Sequence, residues 1–140
     1  MGYTHYFNHD EVSQETWDKI SRDCFRLRTI SDVPIQYDSD IAELPVFNAD
    51  MIHFNGVGDK GHETFVLERE GSSVFVFCKT ARKPYDDLVT ACLLIYHYYS
   101  PGTIDLSSDG DPDEWVNGYR LAERILGMHL PTMSTILWGN

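Results

Sequence analysis

In VFVFCKTARKPYDDLVTACLLIYHYY, residues Val74 to Tyr99, an apolar run passes into a cationic loop and then into a segment that is apolar almost all the way round. Val74 to Cys78 is rich in β-branched and aromatic residues and has no polar face, which predicts a central strand. Tyr85 to Tyr99 carries apolar residues on every side of a helical wheel, which predicts a largely buried helix. Upstream, Met51 to Phe54 and Thr64 to Glu68 read as two more strands. The turns at Gly56 to Gly61 and Glu70 to Ser73 are short enough to make all three strands antiparallel neighbours.

Further out, Gly2 to Phe7 reads as a short aromatic strand. Trp17, Ile20, Cys24 and Leu27 recur at helical spacing, so a helix is expected from an N-cap at Ser13 to about Arg28, with a charged, solvated outer face. Ser31 to Ala49 shows no sustained period and reads as a surface connection with at most one short strand. Thr103 to Leu106 is a further strand. The last helix has the clearest limits: Asp111 as N-cap, Pro112 at the first position, Glu114 closing a capping box and Gly127 just past the end. Trp115, Tyr119, Ala122 and Leu126 form its inner face. The tail, Leu130 to Asn140, reads as an added edge strand or a contact to a second subunit. The expected fold is one α+β domain over residues 1–140, a mostly antiparallel sheet of four to six strands packed with three helices, one largely buried.

Composition bounds the function. With 140 residues, 42% hydrophobic and 13% aromatic, the chain can build one core and not two ordinary domains. A net charge of −11 and a pI near 4.7 argue against general binding to nucleic acid or anionic lipid, which requires many cations, and leave a basic protein partner open. Cys24, Cys78 and Cys92 are odd in number and set among apolar neighbours, which reads as buried thiols in a reducing cytoplasm. MGYTHYFNHD has neither the basic start nor the apolar stretch of a signal peptide, and Leu88 to Tyr99 is too short for a membrane span.

Against that acidity, Gly71 to Tyr85 holds Lys79, Arg82 and Lys83 and no Asp or Glu. The order strand, KTARKP, helix puts Lys79, Thr80, Arg82 and Lys83 where free backbone N–H groups and the positive end of a helix favour an anion. Cations left there alone are disfavoured by roughly 0.3–1 kcal/mol each. Two readings follow: a bound phosphate, or internal pairing with Asp86 and Asp87. The segment lacks the G-x-x-x-x-G-K-[ST] of a nucleoside triphosphatase loop.

Gly56 to Gly61 matches G-x-G-x-x-G but leads into a strand, so it reads as a flexible hairpin connection rather than a dinucleotide site. His5, His53, His62, Glu63 and Asp109 lack metal-ligand spacing, so neither metal nor cofactor is expected. His97 sits in the apolar helix as a satisfied core histidine. Tyr3 and His5 share a strand face and could stack on a base or pack in the core. Ser107, Ser108 and Asp109 close a strand just before a helix and form a second place for hydroxyls to meet a ligand.

Four segments carry a family resemblance: Met1-Gly2-Tyr3-Thr4-His5-Tyr6; Phe54-Asn55-Gly56 with Gly61-His62-Glu63-Thr64-Phe65; Phe77 to Asp86, FCKTARKPYD; and Ser107-Ser108-Asp109-Gly110 with Trp115. In these the chain resembles a family of small phage- and prophage-encoded proteins. The resemblance implies a phage setting, hence the host cytoplasm, and by association a role in countering host immunity. The expectation is a protein that binds and sequesters a small phosphate-bearing ligand, such as a nucleotide immune signal. Lys79, Arg82 and Lys83 would hold phosphate, Thr80, Ser107 and Ser108 would add hydrogen bonds, and Tyr3, His5 and Tyr85 would stack on the base, with His62 and Asp109 nearby. Two alternatives stand beside it: a phosphodiesterase-type hydrolase with His5 or His62 as acid and base, and an acidic protein inhibitor of a host defence or nucleic-acid-binding protein.

Overall fold

Two antiparallel sheets and three main helices, with a fourth short one, form a single α+β domain in the computed structural model, which describes residues 2–71 and 76–138. In chain order the elements are β1 (Thr4–His9), α1 (Gln14–Ile30), β2 (Ile35–Gln36), β3 (Val46–Phe47), β4 (Met51–Gly56), β5 (Phe65–Glu68), β6 (Val76–Lys79), α2 (Asp86–Tyr99), β7 (Ile104–Ser108), α3 (Val116–Leu126) and α4 (Met133–Trp138). Among the described residues no helix is long and apolar enough to cross a membrane.

The helices follow from local signals. Ser13 caps α1 by accepting the Thr16 N–H at 3.1 Å, and Trp17, Ile20, Cys24 and Leu27 are buried as their spacing requires. All three cysteines are free and buried. α2 is buried from Leu88 to Tyr96 and lies against both α1 and α3. His97 at its end is half-buried, and burial lowers its pKa. The capping box between Asp111 and Glu114 is present, its first turn at Pro112–Trp115 winds as a 3-10 helix, and Gly127 ends α3 in the left-handed region at φ 70°.

The sheets depart from the expected meander. β1 is the central strand of the first sheet, in the order β6-β1-β7, and β6 is an edge strand whose partner is β1 rather than β5. Phe77 is accordingly 59% exposed, although the pattern of this run predicts a strand covered on both faces. Val74 and Phe75 of the expected strand, and Ser72 and Ser73 of its turn, lie outside the described residues. The reason for the difference is that strand pairing is long-range. A local pattern reports how apolar a strand is, not which strand lies beside it.

In the second sheet β4 pairs with β2, β3 and β5, so the 31–49 connection contributes two short strands instead of at most one. The expected edge strand in the tail is a helix, α4, with Met133 and Leu137 buried one turn apart. The glycine loop holds a 3-10 turn at Gly58–Lys60. Asn55 ties it: its Oδ1 accepts the N–H of Gly56 and of His62, and its Nδ2 donates to the His62 carbonyl at 2.9 Å. A Cβ at Gly61 would strike Asn55 and the Gly56 carbonyl, so the glycines permit a close approach of backbone to backbone.

Candidate functional site

β1 draws the singled-out segments together because it pairs on both edges. Thr4 lies opposite Lys79, and His5 lies opposite Cys78 on one side and Ser108 on the other. Beyond Lys79 the chain remains attached to β1, since the N–H groups of Thr80 and Ala81 both donate to the Tyr3 carbonyl, at 3.1 and 3.3 Å. It then reverses through Ala81 and Arg82, with φ of 53° and 56°, and closes with Lys83 N–H donating to the Thr80 carbonyl at 3.0 Å. Two consecutive non-glycine residues in the left-handed region cost about 1–2 kcal/mol each, so this turn is imposed by its surroundings. Arg82 lies over the Tyr3 ring, 4.3 Å from its centre, and its Nε donates to Glu114 Oε2 at 2.8 Å. Glu114 Oε1 meanwhile accepts the Asp111 N–H, so one carboxylate fastens both the loop and the start of the α3 segment.

Beneath the turn a hydrogen-bonded chain crosses the interior. Ser108 Oγ accepts from Gly110 N–H at 2.9 Å and from Trp115 Nε1–H at 3.2 Å. Both partners can only donate, and a hydroxyl has two lone pairs and one hydrogen. The Ser108 O–H must therefore donate to His5 Nδ1, 2.8 Å away, which leaves the ring proton on Nε2 to be donated to Asp86 Oδ1 at 2.6 Å. Thr80 Oγ1 donates to the same oxygen at 2.6 Å. His5 and Thr80 are 0% exposed. Trp115 and Tyr3 meet the His5 ring edge-on at 5.0 and 5.1 Å.

A cleft of about 400 Å³ opens between the turn and the start of α3, lined by Tyr3, Arg82 and Lys83 on one part and Asp113, Glu114 and Asn117 on another, with Asp86 and Asp87 from the first turn of α2. Burial, then the charges of Asp86 and Glu114, push the Tyr3 phenol up, against the opposing effect of Arg82. Burial also raises the Asp87 carboxyl, although Asn117 hydrogen-bonds to it. Glu114 is held low by Arg82 and the Asp111 N–H.

The expected site residues divide into three groups. Tyr3, Arg82 and Lys83 line the cleft. Buried His5 and Thr80 and half-buried Ser108 form the hydrogen-bonded chain next to it and spend their polar side-chain atoms on one another, on Asp86, and, for Ser108, on Gly110 and Trp115. The remaining residues stand apart. Lys79 extends across the Gly2 backbone, while its N–H donates to Glu63 Oε1 at 2.7 Å. Tyr85 is 0% exposed and donates its hydroxyl to the Glu63 carbonyl, so its ring belongs to the core. His62 is exposed, Ser107 faces away from Ser108 by strand alternation, and Asp109 accepts the Thr4 N–H. Internal ion pairing of the cations with Asp86 and Asp87, the second of the two readings, is not formed among the described residues. Arg82 pairs with Glu114 instead, and Asp86 bonds to His5 and Thr80.

Chemically, the cleft offers a guanidinium and an ammonium beside four carboxylates, of which Asp86, Asp87 and Glu114 are already hydrogen-bonded within the protein. Nucleophiles are poorly provided. Burial pushes the Cys78 thiol up to about 12, so it stays protonated, and both Ser108 lone pairs are occupied. No group of three or more His, Cys, Asp or Glu that could hold a metal occurs among the described residues. Asp86, Asp87 and Asn117 escaped the sequence reading as site residues. Asp86 lies 81 positions from His5, and no local pattern joins them. Compared with known proteins, the chain matches no family model, no curated protein and no solved structure.

Proposed function

We propose that this chain binds and sequesters a small phosphate-bearing ligand, such as a nucleotide immune signal, in the cleft between the Thr80–Lys83 turn and the start of α3. In the phage setting implied by the resemblance, this would be an anti-defence activity in the host cytoplasm. The supporting observation is the placement of Arg82 and Lys83. A strained turn anchored to Tyr3 holds both at one cleft, and Lys83 has no ion pair among the described residues. The cleft volume of about 400 Å³ is that of a small-ligand site. Arg82, Lys83 and Asn117 would make the polar contacts.

Holding is favoured over cleavage. A serine, histidine and aspartate in hydrogen-bonded sequence invite a hydrolase reading, but neither His5 nor Ser108 lines the cleft, and the serine oxygen already accepts two hydrogen bonds, which weakens it as a nucleophile. Isothermal titration against cyclic nucleotides and ADP-ribose derivatives tests the proposal. An Arg82→Ala/Lys83→Ala variant should lose at least tenfold in affinity for any ligand that binds, and the ligand should be recovered intact after denaturation. Unchanged affinity sinks the site, and a cleaved ligand replaces binding with hydrolysis.

A further inference from the structure

The Lys and Arg residues without an ion pair or ring contact among the described residues are Lys60, Lys79, Lys83, Arg120 and Arg124. Three of these five line two adjoining grooves. The cleft at Lys83 shares Asp87 and Asn117 with a second groove of about 420 Å³, which runs between the end of α1 and the side of α3. Arg120 and Arg124 line that groove, with Ile30, Val33 and Leu121 as its apolar residues. The two arginines stand one turn apart and share a helix face. From Asn117 they lie one and two turns along α3, about 5 and 10 Å at 1.5 Å per residue.

Charge alternates along this path. Arg82 and Lys83 stand at one end, Arg120 and Arg124 at the other, and Asp87 with Asn117 between them. Asp32 is the acid of the arginine end, and Asp113 with the bonded Asp86 and Glu114 are the acids of the turn end. A single phosphate at the turn would leave the arginine end unused, and a uniformly anionic chain would meet Asp87 halfway. The complementary ligand has two anionic groups separated by an uncharged stretch that donates hydrogen bonds, because a carboxylate accepts and a carboxamide does both. It also has apolar surface to cover Leu121 and Val33.

On the premise that the cleft binds phosphate, we infer that the joined grooves take an elongated nucleotide with two separated phosphates. One phosphate sits at Arg82 and Lys83 and the next at Arg120 and Arg124, with the nucleoside between them over Asp87 and Asn117. Three probes test this by titration calorimetry: adenosine monophosphate, the 5′-phosphorylated dinucleotide pApA, and inorganic tripolyphosphate. The expected result is that pApA binds at least tenfold more tightly than either of the others. An Arg120→Gln/Arg124→Gln variant, changed only at surface positions, should lose that tenfold while its affinity for the monophosphate stays the same. If the variant binds pApA like the unaltered protein, or tripolyphosphate binds as tightly as pApA, the extended site is wrong. The cleft reading survives that result provided Arg82→Ala/Lys83→Ala still weakens binding. If none of the probes binds, the extended site is overturned, and the cleft reading then rests on the wider panel of cyclic nucleotides and ADP-ribose derivatives.

Discussion

His5 is the centre of a chain of hydrogen bonds that runs from Ser108 to Asp86. Its place beside Tyr3 on one strand face is legible from alternation, and the two rings do meet edge-on. Its partners are not legible, since Ser108 and Asp86 come from strands and helices far along the chain. Asp86 reads in sequence as a counter-charge for the cations three to seven positions before it, yet it faces inward to His5 and Thr80. Because every member of this chain of bonds is spent on another, removing the centre strands both neighbours. His5→Leu keeps an apolar body but leaves the Ser108 hydroxyl and the Asp86 carboxylate without it, and should destabilise by about 3 kcal/mol. Urea unfolding at constant slope measures this. A loss under about 1 kcal/mol would show that these bonds are already open to water.

At the scale of elements, helices were legible and strand neighbours were not. Ser13, Asp111, Pro112 and Gly127 mark helix limits through contacts within a few residues, and the structure keeps all four roles. β6 and β1 meet across some seventy positions, and nothing in VFVFC states that it lies at an edge. The contact of α2 with α3 is likewise tertiary. Gly118 sits inside α3, where alanine ordinarily favours a helix by about 1 kcal/mol. A Cβ there would strike Thr90, whose hydroxyl donates back to the Asp86 carbonyl at 3.0 Å. Overpacking costs about 1–3 kcal/mol, so Gly118→Ala should lower stability despite the better propensity, and Gly118→Ala with Thr90→Ala should recover part of it. Thermal melts of the single and double variants decide the matter, and a stabilised single variant would mean that the helices separate freely.

For the whole molecule, buried titratable groups set the response to acid. Burial lowers the pKa of His9, His53 and His97 in the folded state, with nearby carboxylates opposing it at His9 and His53. Unfolded histidines titrate near 6.5, so below about pH 6.5 the unfolded chain binds more protons and stability falls as pH falls. Burial alone would raise Asp23, but hydrogen bonds from Arg22, Tyr99 and Arg26 outweigh it and hold its carboxyl low. Its stabilisation is present above the ordinary carboxylate range and fades as pH drops through and below about 4. The raised Asp87 acts in the opposite sense between these windows. The melting temperature should begin to drop below pH 6.5 and drop again below 4. His9→Gln should flatten the first decline, and a melting temperature level from pH 7.5 to 5 would contradict the assignment.

What could be read from residue order alone is whatever short-range physics specifies: an α+β class, a largely apolar core helix, capped helix ends, and an island of cations between a strand and a helix. The tertiary structure alone decided that β1 is central, that Glu114 rather than Asp86 holds Arg82, and that Arg120 and Arg124 continue the path begun at Lys83. Caps and periodicity act over one or two helical turns, so neighbours in sequence suffice to reveal them. Sheet partners, buried hydrogen-bond chains and grooves are contacts between segments tens of residues apart, and these exist only once the backbone has closed around the core.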